Sequence, residues 1–411
     1  MERKKAIGNL YEYYYILVML AYFFSMFTKH THPGVVGTIL MLLVAIELLV
    51  KRRLPLPTAW KREASVTDFF VLVYFLYNIL SIYWLVNNSH IPMEVFFDEF
   101  AVSVLPIVFY FVGKSVTKEN KETFYGKCLL ALLFCFLSGI LLFFWAPDFY
   151  INWAYEMSYI SKPDAPTMQV RMLSFISSIP EGFLTVAGML LSIYYLVEYR
   201  GKRGKGAFFI CLLSAFMCNQ RSAMTVAFLV ILYLNYLIFY RFSILPKKFF
   251  LMEWLGGMAA LLLLAIVRFE ALLKVWYRIE SLPRSIGERS ESWIAAVNNL
   301  TNIWLGNGLG ANGHRAIGYT EFIVADGGLI KLFCEMGIFG TTFFLYIMIR
   351  SGANGYKKIK ENYVELGIIG AALLQCVGSN IITYQIAAPI FWFAVGRCAT
   401  LEVQPSKETD S

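Results

Sequence analysis

Three groups of polar residues interrupt a strongly apolar chain of 411 residues, and each has a chemistry to offer. The first is Arg221, in the break Cys218-Asn219-Gln220-Arg221-Ser222 between two apolar runs. A charged side chain costs about 2.5–3.5 kcal/mol at a bilayer centre by insertion scales, and less near an interface. Such an Arg either snorkels to headgroups or faces an internal cavity and binds an anion there. The second group starts with Gly287-Glu288-Arg289, ahead of a helix-like run holding Trp293. The planar guanidinium fork suits bidentate contacts to phosphate. It continues with Gly306-Asn307-Gly308-Leu309-Gly310-Ala311-Asn312-Gly313-His314. Glycines this dense let a backbone approach closely, and successive N–H groups form a nest for an anion. The Lys-Ser/Thr of a nucleotide P-loop is missing. The third group is Asp326-Gly327-Gly328, followed by Lys331, Glu335, Gly337 and Gly340. An acid at a helix start either caps it or is free to act as a base.

Other charges have plainer readings. Arg268, Lys274, Arg278, Arg284, Arg289 and Arg315 share one stretch with Glu270, Glu280, Glu288, Glu291 and Glu321, which suits a solvated surface with local ion pairs. Arg171 lies in a shorter polar stretch at 146–179. Glu94, Asp98, Glu99 and Glu181 fall near span ends, where they either reach the interface or line a cavity. The seven Cys sit mostly in apolar runs without CxxC spacing and read as small buried hydrophobes. Of four His, only His30 and His32 lie close together, so no metal centre is expected.

The elements that must position these groups are membrane helices. The chain is 58% apolar, 17% aromatic and 16% charged, with a mean hydropathy of +0.59. Soluble domains carry about 25% charged residues, so a soluble enzyme, a disordered chain and a disulfide-rich secreted domain are excluded. A helix needs roughly 20 apolar residues to cross the hydrocarbon core. Runs at 11–28, 33–50, 66–86, 93–112, 124–145, 180–199, 249–267, 328–349, 363–381 and 384–401 qualify, and 206–240 splits at Arg221 into two, about twelve spans in all. No small-residue cleavage site follows the first span, so it is expected to stay. Lys and Arg gather in alternate short loops, for example Lys51, Arg52 and Arg53, or Arg200, Lys202, Arg203 and Lys205. That asymmetry puts both termini in the cytoplasm and the segments 146–179 and 268–327 on the outer face. The net charge of +8 is therefore a matter of topology rather than of nucleic-acid binding. The whole of 1–411 reads as a single all-α polytopic membrane domain, with 268–327 as an extracytoplasmic cap over a cavity. No pair of matching broken helices is evident in the two halves.

Taken together, Asn219-Gln220-Arg221, Gly287-Glu288-Arg289 with Trp293 and the glycine-rich stretch, and Asp326-Gly327 followed by Gly337 and Gly340 resemble the O-antigen polymerase and O-antigen ligase superfamily of bacterial membrane glycosyltransferases. The resemblance covers about 180–350. In the ligases a His occupies the position of Asp326, which favours the polymerase branch. The resemblance implies a GT-C-like fold in the bacterial inner membrane, no cofactor, and undecaprenyl-diphosphate-linked glycans as donor and acceptor. A chain-length regulator is a further partner that it implies. The growing glycan would pass to a new lipid-linked unit at the outer face. On this reading Arg221 and Arg289 stabilise the diphosphate leaving group, Asp326 or His314 is the base, and Arg171, Glu181, Arg278, Gly308 and Gly310 bind substrate. The alternatives are a ligase-type glycan transferase and a transporter or flippase of lipid-linked glycan.

Overall fold

Leu, Phe, Val and Ile runs that must lie in hydrocarbon leave the backbone to satisfy its own hydrogen bonds, which favours helix. The computed structural model describes residues 9–28, 32–51, 65–156, 172, 174–199, 202–246, 250, 255 and 282–400. Among these there is no strand, only an isolated bridge between Ile317 and Thr320. Apart from residues 250 and 255, the run at 249–267 falls outside the described residues, as do Arg171, Arg268, Lys274 and Arg278 and the side chains of Arg284 and Glu288.

The helices are α1 (Leu10–Ser25), α2 (Pro33–Val50), α3 (Val66–Asn87), α4 (Met93–Glu99), α5 (Val108–Ser115), α6 (Lys118–Trp145) and α7 (Pro147–Glu156). There follow α8 (Ser178–Tyr199), α9 (Lys202–Met217), α10 (Arg221–Tyr236), α11 (Leu282–Asn298), α12 (Gly328–Lys357), α13 (Ile359–Gln375) and α14 (Ala388–Ala399). Seven stretches among the described residues are long and apolar enough to cross a membrane: α2, α3, the combined Met93–Ser115, α6, α8, α10 extended to Arg241, and α12. That set suits a multi-pass membrane protein. Val35, Ile39, Ile46 and Val50 of α2 are 50–77% exposed, a stripe that lipid accommodates and water would not.

The division of 206–240 holds. Cys211 packs on Gly188 and the side chain of Gln220 on Gly182, so α9 runs antiparallel to α8. Helix α10 then returns, with Tyr233 donating to the carbonyl of Tyr363 and Tyr363 donating to Glu198 at the far end of α8. Asn219, at φ +52, makes the corner. One end of the bundle gathers basic partners for buried acids: Lys127 with Glu12 (2.8 Å), Lys114 with Asp68, and Lys121 with Glu365 (3.2 Å).

Three departures from regular crossings concern the opposite end. Between α4 and α5 the helix widens at Phe100–Val104 and tightens at Leu105–Ile107, where Pro106 has no N–H to donate. The final run expected at 384–401 is helical only over Ala388–Ala399, about 18 Å at 1.5 Å per residue and short of a full crossing. Its first residues follow a single turn at Ile381–Thr383. Finally α12, expected as one span, is broken at Gly337 (φ +61, ψ −164). A Cβ there would stand 2.5 Å from the Gly306 nitrogen and the Trp304 carbonyl oxygen. Changing Gly337→Ala combines a clash with backbone geometry that costs about 1–3 kcal/mol by itself. The expected result is a large loss of monodisperse protein in detergent, measured by size exclusion. Gly352, with open space around its Cβ position, serves as the control for a glycine change in the same helix.

Candidate functional site

The break in α12 is filled by the glycine-rich loop. Asn307 and Gly308 donate to the carbonyls of Cys334 and Glu335 (2.8 and 2.9 Å), and Tyr77 donates to that of Met336 (2.9 Å). Beyond the break, the amides of Ile338 and Phe339 donate to Ile303 and Trp304 (3.0 and 3.2 Å). Opening a helix frees backbone groups that must find partners away from water. Gly306, Gly308 and Gly310 all lie at positive φ, and Cβ atoms on them would meet the Glu335 backbone, Leu85 and Glu99. Of the amides read from the sequence as a nest for an anion, two face a carboxylate of the chain itself, that of Glu335. Asn312 donates its amide to Oε1 (3.3 Å), and the Gly310 amide also bonds this carboxylate. Gly308 and Gly310 therefore join the loop to the bundle.

Beneath the loop lies a buried charge network. Lys331 Nζ is 2.6 Å from Glu99 Oε1 and 3.5 Å from Glu335 Oε1, and Arg315 Nη1 is 2.8 Å from Glu99 Oε2. Ser103, in the irregular turn after α4, donates to the same Glu99 carboxylate. Two cations and two anions balance. Glu99, Lys331 and Glu335 are at most 3% exposed. Of the two readings open to Glu99, the interface and the interior, its burial favours the interior, and Arg315 is more than a solvated surface cation. Glu94 and Asp98 are exposed, and Glu94 accepts from the Tyr319 hydroxyl (2.7 Å). A cavity of about 30 Å³ opens beside Lys331 and Glu335, lined also by Tyr74, Asn78, Ser103 and Trp392. That is room for about two water molecules.

The rim carries the residues that the sequence singled out. Arg289 Nη2 and Asp326 Oδ2 are 2.9 Å apart, with 40% and 32% of their side chains exposed. The Trp293 indole N–H donates to the Asp326 carbonyl (2.5 Å), and Gly327 at φ +123 leaves space for that ring. Asp326 does not cap α12, whose N-cap is Gly327. Its carboxylate faces the guanidinium instead.

The segment after α13 joins the rim to Arg221. The Arg289 guanidinium lies 3.8 Å from where a Cβ on Gly378 would stand. Ser379 accepts from the Gln220 amide (3.2 Å), and its carbonyl accepts from the Gly328 N–H (3.2 Å). Arg221, half-buried, follows Gln220 as the first residue of α10. Glu181 sits one residue before Gly182, against which Gln220 packs. It is fully buried, accepts from Ser174 (2.7 Å), and its Oε2 has no partner among the described residues. Arg221, Glu181, Arg289 and Asp326 are therefore gathered at one end of the bundle around Gly378–Asn380. His314 is exposed on a short turn, and it is the neighbouring Arg315 that reaches inward.

Lys331, Glu335 and Glu99 form the part that sequence reasoning left unassigned. The available signal was a Lys and a Glu four residues apart inside an apolar run, since such groups enter a membrane only when paired. Among the described residues no three His, Cys, Asp or Glu side chains gather as metal ligands. No protein-family model matches this sequence, and neither does any curated protein.

Proposed function

We propose that the chain is a twelve-span, GT-C-like polymerase of lipid-linked oligosaccharide repeat units in a bacterial inner membrane. It moves a growing glycan from undecaprenyl diphosphate to the free end of a new lipid-linked unit at the outer face. The observation that supports this most is the Arg289–Asp326 pair on a half-open rim, with Arg221 at the start of α10 beside the same Ser379 segment. Breaking the glycosidic bond to the diphosphate leaves negative charge on the departing phosphate. Guanidinium groups fixed there stabilise the transition state more than the ground state. Asp326, paired with Arg289 at 2.9 Å, takes the proton of the acceptor hydroxyl as that oxygen attacks the anomeric carbon. The test is to incubate purified protein with synthetic diphospholipid-linked repeat unit. A ladder of products one repeat apart is expected, and units left at their original size would overturn the proposal.

A second reading, transport of a lipid-linked or anionic solute, draws on one observation. Helix α12 is broken at Gly337, close to a buried Lys–Glu pair, and broken helices with buried charge suit carriers. The same incubation in proteoliposomes separates the two, since a carrier moves the unit across the bilayer without lengthening it.

The proposed topology has its own check. Cysteine at Tyr319 or Ile317, both half or more exposed, should react with a membrane-impermeant maleimide in intact cells. Cysteine at exposed Tyr356, near the basic end, should react only after permeabilisation.

A further inference from the structure

A second opening, of about 390 Å³, lies between the α3–α4 corner and the loop that fills the break in α12. Its walls differ chemically from the rim just described. Asn88, Ser89, Asn299 and Thr301 line it with Tyr319 and Glu321, and none of its lining residues is a Lys or Arg. Its floor is rigid. Asn307 and Asn312, both at most 5% exposed, are locked by Thr301 (3.0 Å from its N–H), by each other (3.3 Å) and by the Phe322 carbonyl (2.7 Å). Ser89 is spent on the Asn307 carbonyl (2.7 Å). The edge differs again: Asn88, Asn299 and Glu321 are exposed, so their amide and carboxylate groups are open to a ligand, while Thr301 donates its hydroxyl to Asn307 (3.1 Å) and belongs with the floor.

We infer that this cleft is a binding site for an uncharged, hydroxyl-rich glycan. Amides offer a donor and an acceptor side by side and match vicinal hydroxyls, which also donate and accept. Tyr319, half-exposed, supplies an amphipathic ring whose face suits the C–H face of a sugar. The volume lies at the small end of the roughly 300–1,000 Å³ typical of small-molecule sites, enough for one or two sugar rings. A phosphate has no cation here, and Glu321 repels it. The diphosphate thus belongs to the Arg289 rim and the sugars to this cleft. The two are tied in sequence and structure, because Asn312, on the floor, accepts the Val324 amide (2.9 Å) two residues before Asp326.

The choice of glycan as ligand rests on the polymerase reading, but the cleft is tested without any turnover. Detergent-solubilised full chain is screened by saturation-transfer NMR against free di- to tetrasaccharides built from the common hexoses and N-acetylhexosamines of bacterial surface glycans, with inorganic pyrophosphate as the control. At least one saccharide should show transfer. Asn299→Ala and Asn88→Ala, both on exposed edge positions, should weaken its binding about tenfold, while Arg289→Ala leaves it unchanged. If every saccharide fails, or binds the edge variants as it binds the natural chain, the inference is wrong. Saccharide binding without a product ladder keeps the cleft and removes the polymerase. A ladder whose yield the edge variants do not alter, with no saccharide bound, does the reverse.

Discussion

Arg289→Ala is expected to lower chain extension by about 10²–10³-fold while the protein still inserts and purifies normally. The size follows from removing one preorganised charge from the place where negative charge develops. The sparing of the fold follows from exposure: Arg289 and Asp326 are 40% and 32% open to solvent, and ion pairs of that kind contribute at most about 1 kcal/mol. Arg289→Lys keeps the charge but loses the planar fork, so it should recover only part of the activity. Asp326→Asn should cost about 10²–10⁴-fold through loss of the base, again with normal yield. Product ladders from equal amounts of purified variant, resolved by length, are the measurement. Arg289→Ala protein that makes chains of natural length at natural rate would remove Arg289 from the chemistry. Loss of activity together with loss of folded protein would mean that the pair is structural.

How far the sequence revealed this site depended on the range of the interactions. Apolar runs are local, and most became helices within a few residues of their expected ends. Arg221 was legible because a guanidinium and a polar corner stand out in any apolar stretch, and Asn219 turns the chain there. Glu99 and Lys331 were not legible as partners. They are 232 residues apart in sequence, and each alone looks like a group near a membrane surface. Gly337 was seen as part of a glycine motif, yet a glycine in an apolar helix usually serves close packing. Only the loop from Trp304 to Gly308, folded into the gap, shows that the backbone must turn there. The glycine-rich loop illustrates the same limit. Its residue types suggested N–H groups available to an anion, but spacing cannot say whether such an anion is a ligand or Glu335 of the same chain, to which the Asn312 amide donates.

Lys331→Met should be the most destabilising side-chain change at this end of the bundle. Lys331 is the only cation, among the described residues, that an ion pair joins to both Glu99 and Glu335. Without it Glu335 keeps backbone donors but no counter-charge, and Glu99 keeps only Arg315. Truncating one partner of a buried network typically costs about 3–5 kcal/mol, because the remaining charge stays away from water. The loss should appear as a lower unfolding temperature in detergent and a smaller monodisperse fraction. Arg315→Ala should cost less, since Arg315 is 34% exposed and Glu99 retains Lys331 and Ser103. Neutralising both sides distinguishes the electrostatic cause from simple repacking. In Lys331→Met combined with Glu335→Gln, no uncompensated charge faces the 30 Å³ cavity, and Glu99 is left to Arg315. Much of the lost stability should return, giving a coupling between the two positions of at least about 1 kcal/mol in a double-mutant cycle. Additive losses, or a Lys331→Met protein as stable as the natural chain, would mean that the loop is held by its backbone hydrogen bonds to α12 and that the charges contribute little to anchoring it.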